Sequence, residues 1–189
     1  MAEVTRGKGL LTKDDTGLII VDVQEGFRPV IDRFDEIVRN IAILTEGFAI
    51  LGRPVIVTEQ YPKGLGATVT EVEEHLAAFS ETIEKLRFSG CGVPAFDQSV
   101  KRARCTKWVV CGVEAHVCVN QTVADLLERG FDVHVAQDAV SSRVRSNVDV
   151  AMAKMVAAGA RATSTEMALF EMLEQAGTSE FKSISKLVR

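Results

Sequence analysis

The sequence predicts a doubly wound α/β domain, a three-layer sandwich whose central, mostly parallel sheet of about six strands lies between two layers of helices. Short runs rich in β-branched residues alternate with longer segments in which apolar residues recur every three or four positions. The short runs are apolar on both faces, which is typical of parallel strands covered by helices on both sides. In such sheets ligands bind outside the carboxyl ends of the strands, so candidate site residues are sought there.

The strands are predicted where the short apolar runs stand between turn residues. Pro54 is acceptable there because proline fits the first position of a strand. The predicted strands are residues 18–21, 54–58, 82–86, 108–111, 131–136 and 161–164.

The helices are predicted from apolar residues at helical spacing. Gly130 ends one of them, and Ser146 or Asn147 is the expected N-cap of another. Residues 60–67 are expected to form a loop, and the tail 181–188 has apolar residues spaced so that it docks on the domain. The predicted helices are residues 31–48, 70–79, 95–104, 115–128, 148–158 and 166–175.

Length and composition indicate one globular domain, residues 1–189, with a polar N-terminal extension over residues 1–15. The chain is 47% hydrophobic and 25% charged, which supplies enough apolar side chains for a core. The net charge of −4 argues against a nucleic-acid-binding protein, because such proteins need a basic surface to neutralise phosphates.

The four cysteines form no C-x-x-C pair, and the three histidines are not spaced with them as zinc ligands. Unpaired cysteines in a chain of this size indicate a reducing compartment. The N-terminus lacks the apolar stretch of a signal peptide, and no apolar run approaches the ~20 residues that span a bilayer. We therefore predict a cytoplasmic protein that is not embedded in a membrane.

Three residues at predicted strand ends are candidates for catalysis. Asp22 directly follows the first strand, Lys85 lies in the third, and Cys118 follows the fourth at the start of a helix. Unpaired amides at a helix start lower the pKa of a thiol and bind an oxyanion. Taken one at a time, these residues are equally compatible with a solvated acid, a surface lysine and a buried structural cysteine. Together they form a chemical unit: a thiol nucleophile, a carboxylate that accepts its proton, and a cation that stabilises the thiolate.

These residues lie in segments that resemble the isochorismatase-like cysteine hydrolases, a family that includes nicotinamidases and N-carbamoyl amidohydrolases. The segments are LIIVDVQ with Asp22, EKLRFS with Lys85 and GVEAHVCV with Cys118. The chain is most similar to the isochorismatase domain-containing proteins, which share versions of TEQYPKGLG, DAVSSR and FKSISKL (residues 58–66, 138–143 and 181–187).

The resemblance implies that Asp22, Lys85 and Cys118 meet in one pocket. It also implies a cis peptide bond between Val113 and Glu114, and an oxyanion hole made by the backbone amides of Glu114 and Cys118. Relatives commonly assemble, so a homo-oligomer, dimer or larger, is expected as well.

The sequence departs from two patterns of the family. Metal-binding nicotinamidases carry an Asp-x-His…His cluster after the second strand, whereas residues 59–64 contain no histidine. We therefore expect no metal and no cofactor. A Thr-Asp pair of nicotinamidases is replaced by Ala115 and His116, which argues against nicotinamide as substrate. Cys118 separates the chain from the isochorismatases that cleave a vinyl ether, since they lack this cysteine.

Other residues near the predicted edge have weaker claims. Phe27, Gln60, Tyr61 and His116 are candidate pocket residues, although a core position for Phe27, a turn for Gln60 and Tyr61, and a surface or capping role for His116 explain them equally well. Asp138 and Arg143 are expected to brace the loop after the fifth strand.

The sequence thus predicts a cysteine hydrolase that cleaves a small amide or carbamoyl compound through a thioester on Cys118. One alternative is hydrolysis of an ether without a covalent intermediate, with Asp22 as proton donor. The other alternative is a partner-binding protein that retains the fold without catalysis.

Overall fold

The computed structural model describes residue 7 and residues 9–189. Its six strands form a single sheet in which every neighbouring pair is parallel. The strands are β1 (Thr16–Val21), β2 (Val55–Gln60), β3 (Glu81–Lys85), β4 (Lys107–Val113), β5 (Asp132–Ser141) and β6 (Arg161–Thr163). The predicted fold class is confirmed, and the sheet is entirely rather than mostly parallel.

Helices follow the strands along the chain and a π-helical turn, Ala115–Val119, leads directly into α5. The helices are α1 (Phe34–Ile50), α2 (Pro62–Leu65), α3 (Thr70–Glu73), α4 (Pro94–Ala103), α5 (Asn120–Glu128), α6 (Arg145–Ala157), α7 (Thr165–Leu173) and α8 (Ser179–Leu187). Short 3-10 turns lie at Lys13–Asp15 and Glu25–Phe27.

Two apolar cores lie on opposite faces of the sheet. Helices α1, α7 and α8 share one core with Leu18 and Ile20, whereas α4, α5 and α6 share the other with Ile19 and Val21. All of β1 is therefore buried, because its alternate side chains enter different cores. This explains why the first strand is a continuous apolar run rather than an alternating one.

The strand order is β3-β2-β1-β4-β5-β6, so the winding of the chain reverses between β1 and β4. In open parallel sheets the crevice at such a reversal is where ligands bind. The carboxyl ends of β1 and β4 are paired there, with Val21 opposite Gly112.

Several element boundaries differ from the predicted ones. The helix predicted over residues 70–79 ends at Glu73, and the predicted loop 60–67 contains the short helix α2. Helix α6 begins at Arg145 with Val144 as its N-cap, so the prediction of Ser146 or Asn147 as the cap was wrong. Strand β5 continues to Ser141 because a register shift opposite Val110 and Gly112 lets pairing resume after an irregularity.

Both ends of the described chain pack on the domain. Residues 1–6 and 8 of the predicted N-terminal extension lie outside the described residues. Within the extension, Leu11 is fully buried and its amide donates to Glu171 Oε2 at 2.9 Å. The tail docks as predicted, since Ile184 of α8 is fully buried. Within residue 7 and residues 9–189, none of the helices has the length and apolar character needed to cross a bilayer.

Candidate active site

Asp22 follows β1 at the reversal of strand order and is fully buried. Its φ of 55° turns the chain sharply after the strand, and its amide donates to the Thr58 carbonyl at 3.0 Å. The carboxylate accepts two hydrogen bonds: Oδ1 from Thr58 Oγ1 at 2.7 Å and Oδ2 from Lys85 Nζ at 2.6 Å. The carboxylate is therefore held in one orientation by both neighbouring groups.

Lys85 is the last residue of β3, and its side chain is completely shielded from solvent. Nζ donates to Asp22, to Gln60 Oε1 at 2.9 Å and to the Arg87 carbonyl at 3.2 Å. A buried ammonium is costly unless it is paired and hydrogen-bonded, and this one is both. The lysine is thus not a solvated surface residue.

Cys118 lies in the π-helical turn before α5, with 6% of its surface exposed. Burial raises the pKa of its thiol to about 12, and the Asp22 carboxylate raises it further while the Lys85 ammonium lowers it. We expected a thiol pKa lowered by the helix start, and that expectation was wrong because loss of solvent outweighs the effect of nearby donors. The resting sulfur is therefore a thiol that needs a proton acceptor.

Asp22 is suited to be that acceptor. Burial raises the pKa of its carboxyl group, although the charge and hydrogen bond of Lys85, the hydroxyl of Thr58 and the Cys118 thiol oppose the shift. A carboxylate with a raised pKa is a stronger base than an ordinary one. The cluster therefore contains an acid-base pair, the Cys118 thiol and the Asp22 carboxylate, with a fixed cation beside both.

The peptide bond between Val113 and Glu114 is cis, at the junction of β4 and the π-helical turn. The Glu114 side chain is buried and its Oε2 accepts from the backbone amide of Arg143 at 3.1 Å and from Arg143 Nε at 3.0 Å. Glu114 therefore ties the end of β4 to the segment after β5. An oxyanion hole formed by the amides of Glu114 and Cys118 remains a prediction.

Of the candidate pocket residues, Gln60 and Tyr61 lie beside Lys85. Gln60 contacts the ammonium directly, as described above. Tyr61 is half exposed, and with Lys85 and Leu86 it lines an open cleft of about 330 Å³. Tyr61 therefore borders the space outside the cluster rather than the cluster itself.

Phe27 and His116 have other contacts. Phe27 is half-buried and packs on the core cluster that contains Leu18. His116 is half-buried, with Nδ1 3.0 Å from Ser142 Oγ. Asp138 lies within β5, where its carboxylate accepts from the Thr165 amide at the start of α7, so it caps that helix instead of bracing a loop.

The other three cysteines are buried as well. Cys111 lies inside β4, and burial raises the pKa of its thiol. Cys91 and Cys105 are 2% and 3% exposed, so the expectation that they are loop or surface-adjacent residues was wrong. Burial also raises the pKa of the Cys91 thiol to about 11. Neither solvent exposure nor thiol pKa therefore distinguishes Cys118; its neighbours Asp22 and Lys85 do.

Two residues of the site escaped the sequence reasoning. Thr58 holds the Asp22 carboxylate, and its position as the polar residue closing an apolar strand was a usable signal. Gln24 is fully buried and hydrogen-bonds to the backbone of Gln60. It follows Asp22 by two positions inside the quoted LIIVDVQ segment, where a polar residue between apolar ones also gave a signal.

Within the part of the chain that the structure describes, no group of three or more His, Cys, Asp or Glu residues is arranged to hold a metal ion.

Comparison with known proteins shows similarity over nearly the whole chain. The Isochorismatase domain family matches residues 16–167. Isochorismatase domain-containing protein 2 from Danio rerio is 38% identical over 184 residues, which cover 96% of this chain and 91% of that protein.

Two solved structures have the same fold. The MAR1 ribonuclease from Caenorhabditis elegans is 39% identical with a TM-score of 0.91, covering 95% of this chain and 92% of its own. YcaC from Pseudomonas aeruginosa, solved with hexane-2,5-diol and covalent acrylamide, is 26% identical with a TM-score of 0.88, covering 97% and 93%.

Proposed function

This chain belongs to the isochorismatase family, and from that membership and the geometry of the buried cluster we propose that it is a cysteine hydrolase of small amide or carbamoyl compounds. The observation that carries the proposal is the fully buried ion pair between Asp22 and Lys85, adjacent to the Cys118 thiol. A buried pair of charges is weak evidence for stability, because apolar residues of the same volume often stabilise a fold as well. Its placement at the reversal of strand order favours a catalytic purpose.

In the first half of the proposed reaction, Asp22 takes the proton of the Cys118 thiol and the sulfur attacks the carbonyl carbon of the substrate. Backbone amides of Glu114 and Cys118 bind the resulting oxyanion. The tetrahedral intermediate collapses as Asp22 returns the proton to the departing nitrogen, which leaves as ammonia or an amine. The acyl group remains on Cys118 as a thioester.

In the second half, a water molecule replaces the leaving group. Asp22 removes one proton from the water, and the hydroxide attacks the thioester carbon. The carbon–sulfur bond breaks, the carboxylic or carbamic acid leaves, and the proton on Asp22 returns to Cys118. Lys85 stays an ammonium throughout and stabilises whichever of its two neighbours carries the negative charge.

The relatives bear on the choice of substrate. The covalent acrylamide of YcaC supports a nucleophile that reacts with a small amide compound in this fold. The relative from Caenorhabditis elegans is described as a ribonuclease, which makes RNA cleavage the second candidate function. A small molecule is favoured over a polymer because the Asp22 and Lys85 side chains are fully shielded and Cys118 is only 6% exposed.

An activity screen tests the proposal. The purified chain is incubated with small amides, carbamoyl compounds, ureides, a vinyl ether acid and single-stranded RNA, with ammonia release, product formation and RNA length as readouts. We expect ammonia from at least one amide, carbamoyl or ureide substrate. Intact-mass measurement during turnover should show a thioester adduct on the wild-type chain.

Cys118→Ser and Cys111→Ser form the matched pair of variants for this screen. Cys118→Ser should lose turnover by at least roughly 10³-fold because the hydroxyl is a far poorer nucleophile without its own base. Cys111→Ser tests a buried thiol of the same strand–turn region that has no carboxylate beside it. Turnover that survives Cys118→Ser would end the proposal; ether cleavage without an adduct would favour the non-covalent route, and no turnover at all a partner-binding protein.

Homo-oligomeric assembly and a cytoplasmic location remain predictions for this chain.

A further inference from the structure

The Lys85 ammonium is surrounded by three acceptors from separate parts of the chain: Asp22 Oδ2 at 2.6 Å, Gln60 Oε1 at 2.9 Å and the Arg87 carbonyl at 3.2 Å. An ammonium group has three N–H donors, so acceptors and donors match in number. One of the acceptors is charged and two are neutral. The neutral acceptors therefore fix the position of the cation without cancelling its charge.

The side-chain amide of Gln60 can serve this purpose in one orientation only. Its Nε2 donates to the Leu86 carbonyl at 3.0 Å, while its Oε1 faces Lys85. A flipped amide would place the NH₂ group against the ammonium and the oxygen against a carbonyl oxygen, and both contacts would be repulsive. The Leu86 carbonyl thus determines which end of the amide meets Lys85.

The backbone of Gln60 is itself held by the buried amide of Gln24. Gln24 Oε1 accepts from the Gln60 amide at 2.7 Å, and Gln24 Nε2 donates to the Gln60 carbonyl at 3.1 Å and to the Gly66 carbonyl at 2.6 Å. These are the two bonds that a neighbouring backbone peptide would make. Gln24 therefore ties the end of β2 to the segment that begins at Asp22.

We propose that Gln60 is a positioning residue that holds the Lys85 ammonium beside Cys118, and that Gln24 acts through Gln60 in the same role. This inference rests on the proposed function, since it concerns the cation that stabilises the thiolate. It assigns Gln60 a place behind the catalytic cluster instead of the substrate-lining role considered from the sequence. Neither glutamine touches substrate or exchanges a proton.

The pH dependence of Cys118 alkylation tests this proposal without knowledge of the substrate. Wild type, Gln60→Met and Gln121→Met are treated with iodoacetamide across a pH series, and labelling of Cys118 is followed by peptide mass spectrometry. Methionine matches the length of glutamine but lacks its acceptor. We expect Gln60→Met to slow labelling at neutral pH about tenfold and to raise the midpoint by about one pH unit, because a displaced cation stabilises the thiolate less. Gln121 is an exposed glutamine of α5, so its substitution should leave the profile unchanged.

Gln24→Met provides a second measurement. If both glutamines act on the same ammonium, the double variant should be about as slow as the slower single variant, whereas independent effects would multiply. Circular dichroism identifies any variant that is not folded. If Gln24→Met does not fold, Gln60→Met still decides the question, because Gln60 is only partly buried.

The outcomes separate this inference from the proposed function. A wild-type Cys118 that is labelled faster than Cys91, Cys105 and Cys111, with an identical profile in folded Gln60→Met, overturns the positioning role and leaves the hydrolase proposal intact. A wild-type Cys118 that is labelled no faster than the other cysteines counts against the proposed function, and the inference falls with it.

Discussion

Asp22→Asn is expected to lower Cys118-dependent turnover by roughly 10³-fold, because general acid–base catalysis by a positioned carboxylate contributes at about this level. Asparagine keeps the shape of the side chain and can still accept from Thr58, but it cannot take a proton from sulfur. Steady-state rates with the substrate found in the screen measure the loss. Glu59→Gln is the matched control: Glu59 is a buried acid near the same edge whose Oε1 accepts from Thr68, a contact that glutamine retains.

Alkylation of Cys118 in Asp22→Asn distinguishes two origins of its reactivity. The Asp22 charge raises the pKa of the Cys118 thiol, so its removal would accelerate labelling if the sulfur were a preformed thiolate. If Asp22 is the proton acceptor, labelling slows instead. We expect slower labelling, and a faster reaction in folded Asp22→Asn would contradict the role of Asp22 as base.

The same variant is informative about pH. Burial raises the pKa of Asp22, and the base must be ionised to act, so wild-type turnover should rise with pH through a midpoint above the ordinary carboxyl value of about 3.9. The acidic limb belongs to the coupled cluster rather than to one group alone. Its disappearance from the residual rate of Asp22→Asn would support the assignment, and an unchanged limb would oppose it.

Gly112→Ala is expected to be the most destabilising small substitution in the sheet. Gly112 has a φ of +115°, and a Cβ atom there would overlap with the Val21 carbonyl on the neighbouring strand. A left-handed backbone costs an alanine ~1–2 kcal/mol, and overpacking adds ~1–3 kcal/mol. We expect the free energy of unfolding in urea to fall by roughly 3–5 kcal/mol, a large share of the ~5–15 kcal/mol typical of a domain.

Gly159→Ala isolates the contact from the backbone conformation. Gly159 has a φ of +112°, almost the same as that of Gly112, but an added Cβ would have nothing within 4 Å. Its substitution should therefore cost only the conformational part, ~1–2 kcal/mol. Equal losses in the two variants would mean that close approach of β4 to β1 does not limit the substitution.

The sequence predicted the α/β architecture because strands buried on both faces are continuous apolar runs, and β1 is the clearest example. It also indicated Asp22, Lys85 and Cys118, since a charged or nucleophilic residue at a strand end lies at the edge where parallel sheets bind ligands. The order of the strands and the reversal between β1 and β4 did not follow from local patterns. They depend on which strands pair across long stretches of chain.

Features that depend on burial and on orientation were not predictable. The raised pKa of Cys118 comes from loss of solvent, which a count of nearby helix residues does not contain. The roles of Gln24 and Gln60 depend on which way each amide points, and hydrogen bonds to backbone groups of distant segments determine this. Cys91 and Cys105 were misplaced for a similar reason, because loops and helix ends that look exposed in the sequence pack on the sheet.

Strand β3 has a partner on one side only, because it is the outermost strand next to β2. Sub-global openings of a protein begin where the fewest contacts must be broken, and a margin of the sheet is such a place. Detachment of β3 would withdraw Lys85 from Asp22 and Cys118 while the interior strands stay assembled, so the catalytic cluster can be lost without global denaturation. Amide hydrogen exchange should accordingly be faster at Ile83 than at Val110, and equal protection at the two amides would show that the cation departs only when the whole domain unfolds.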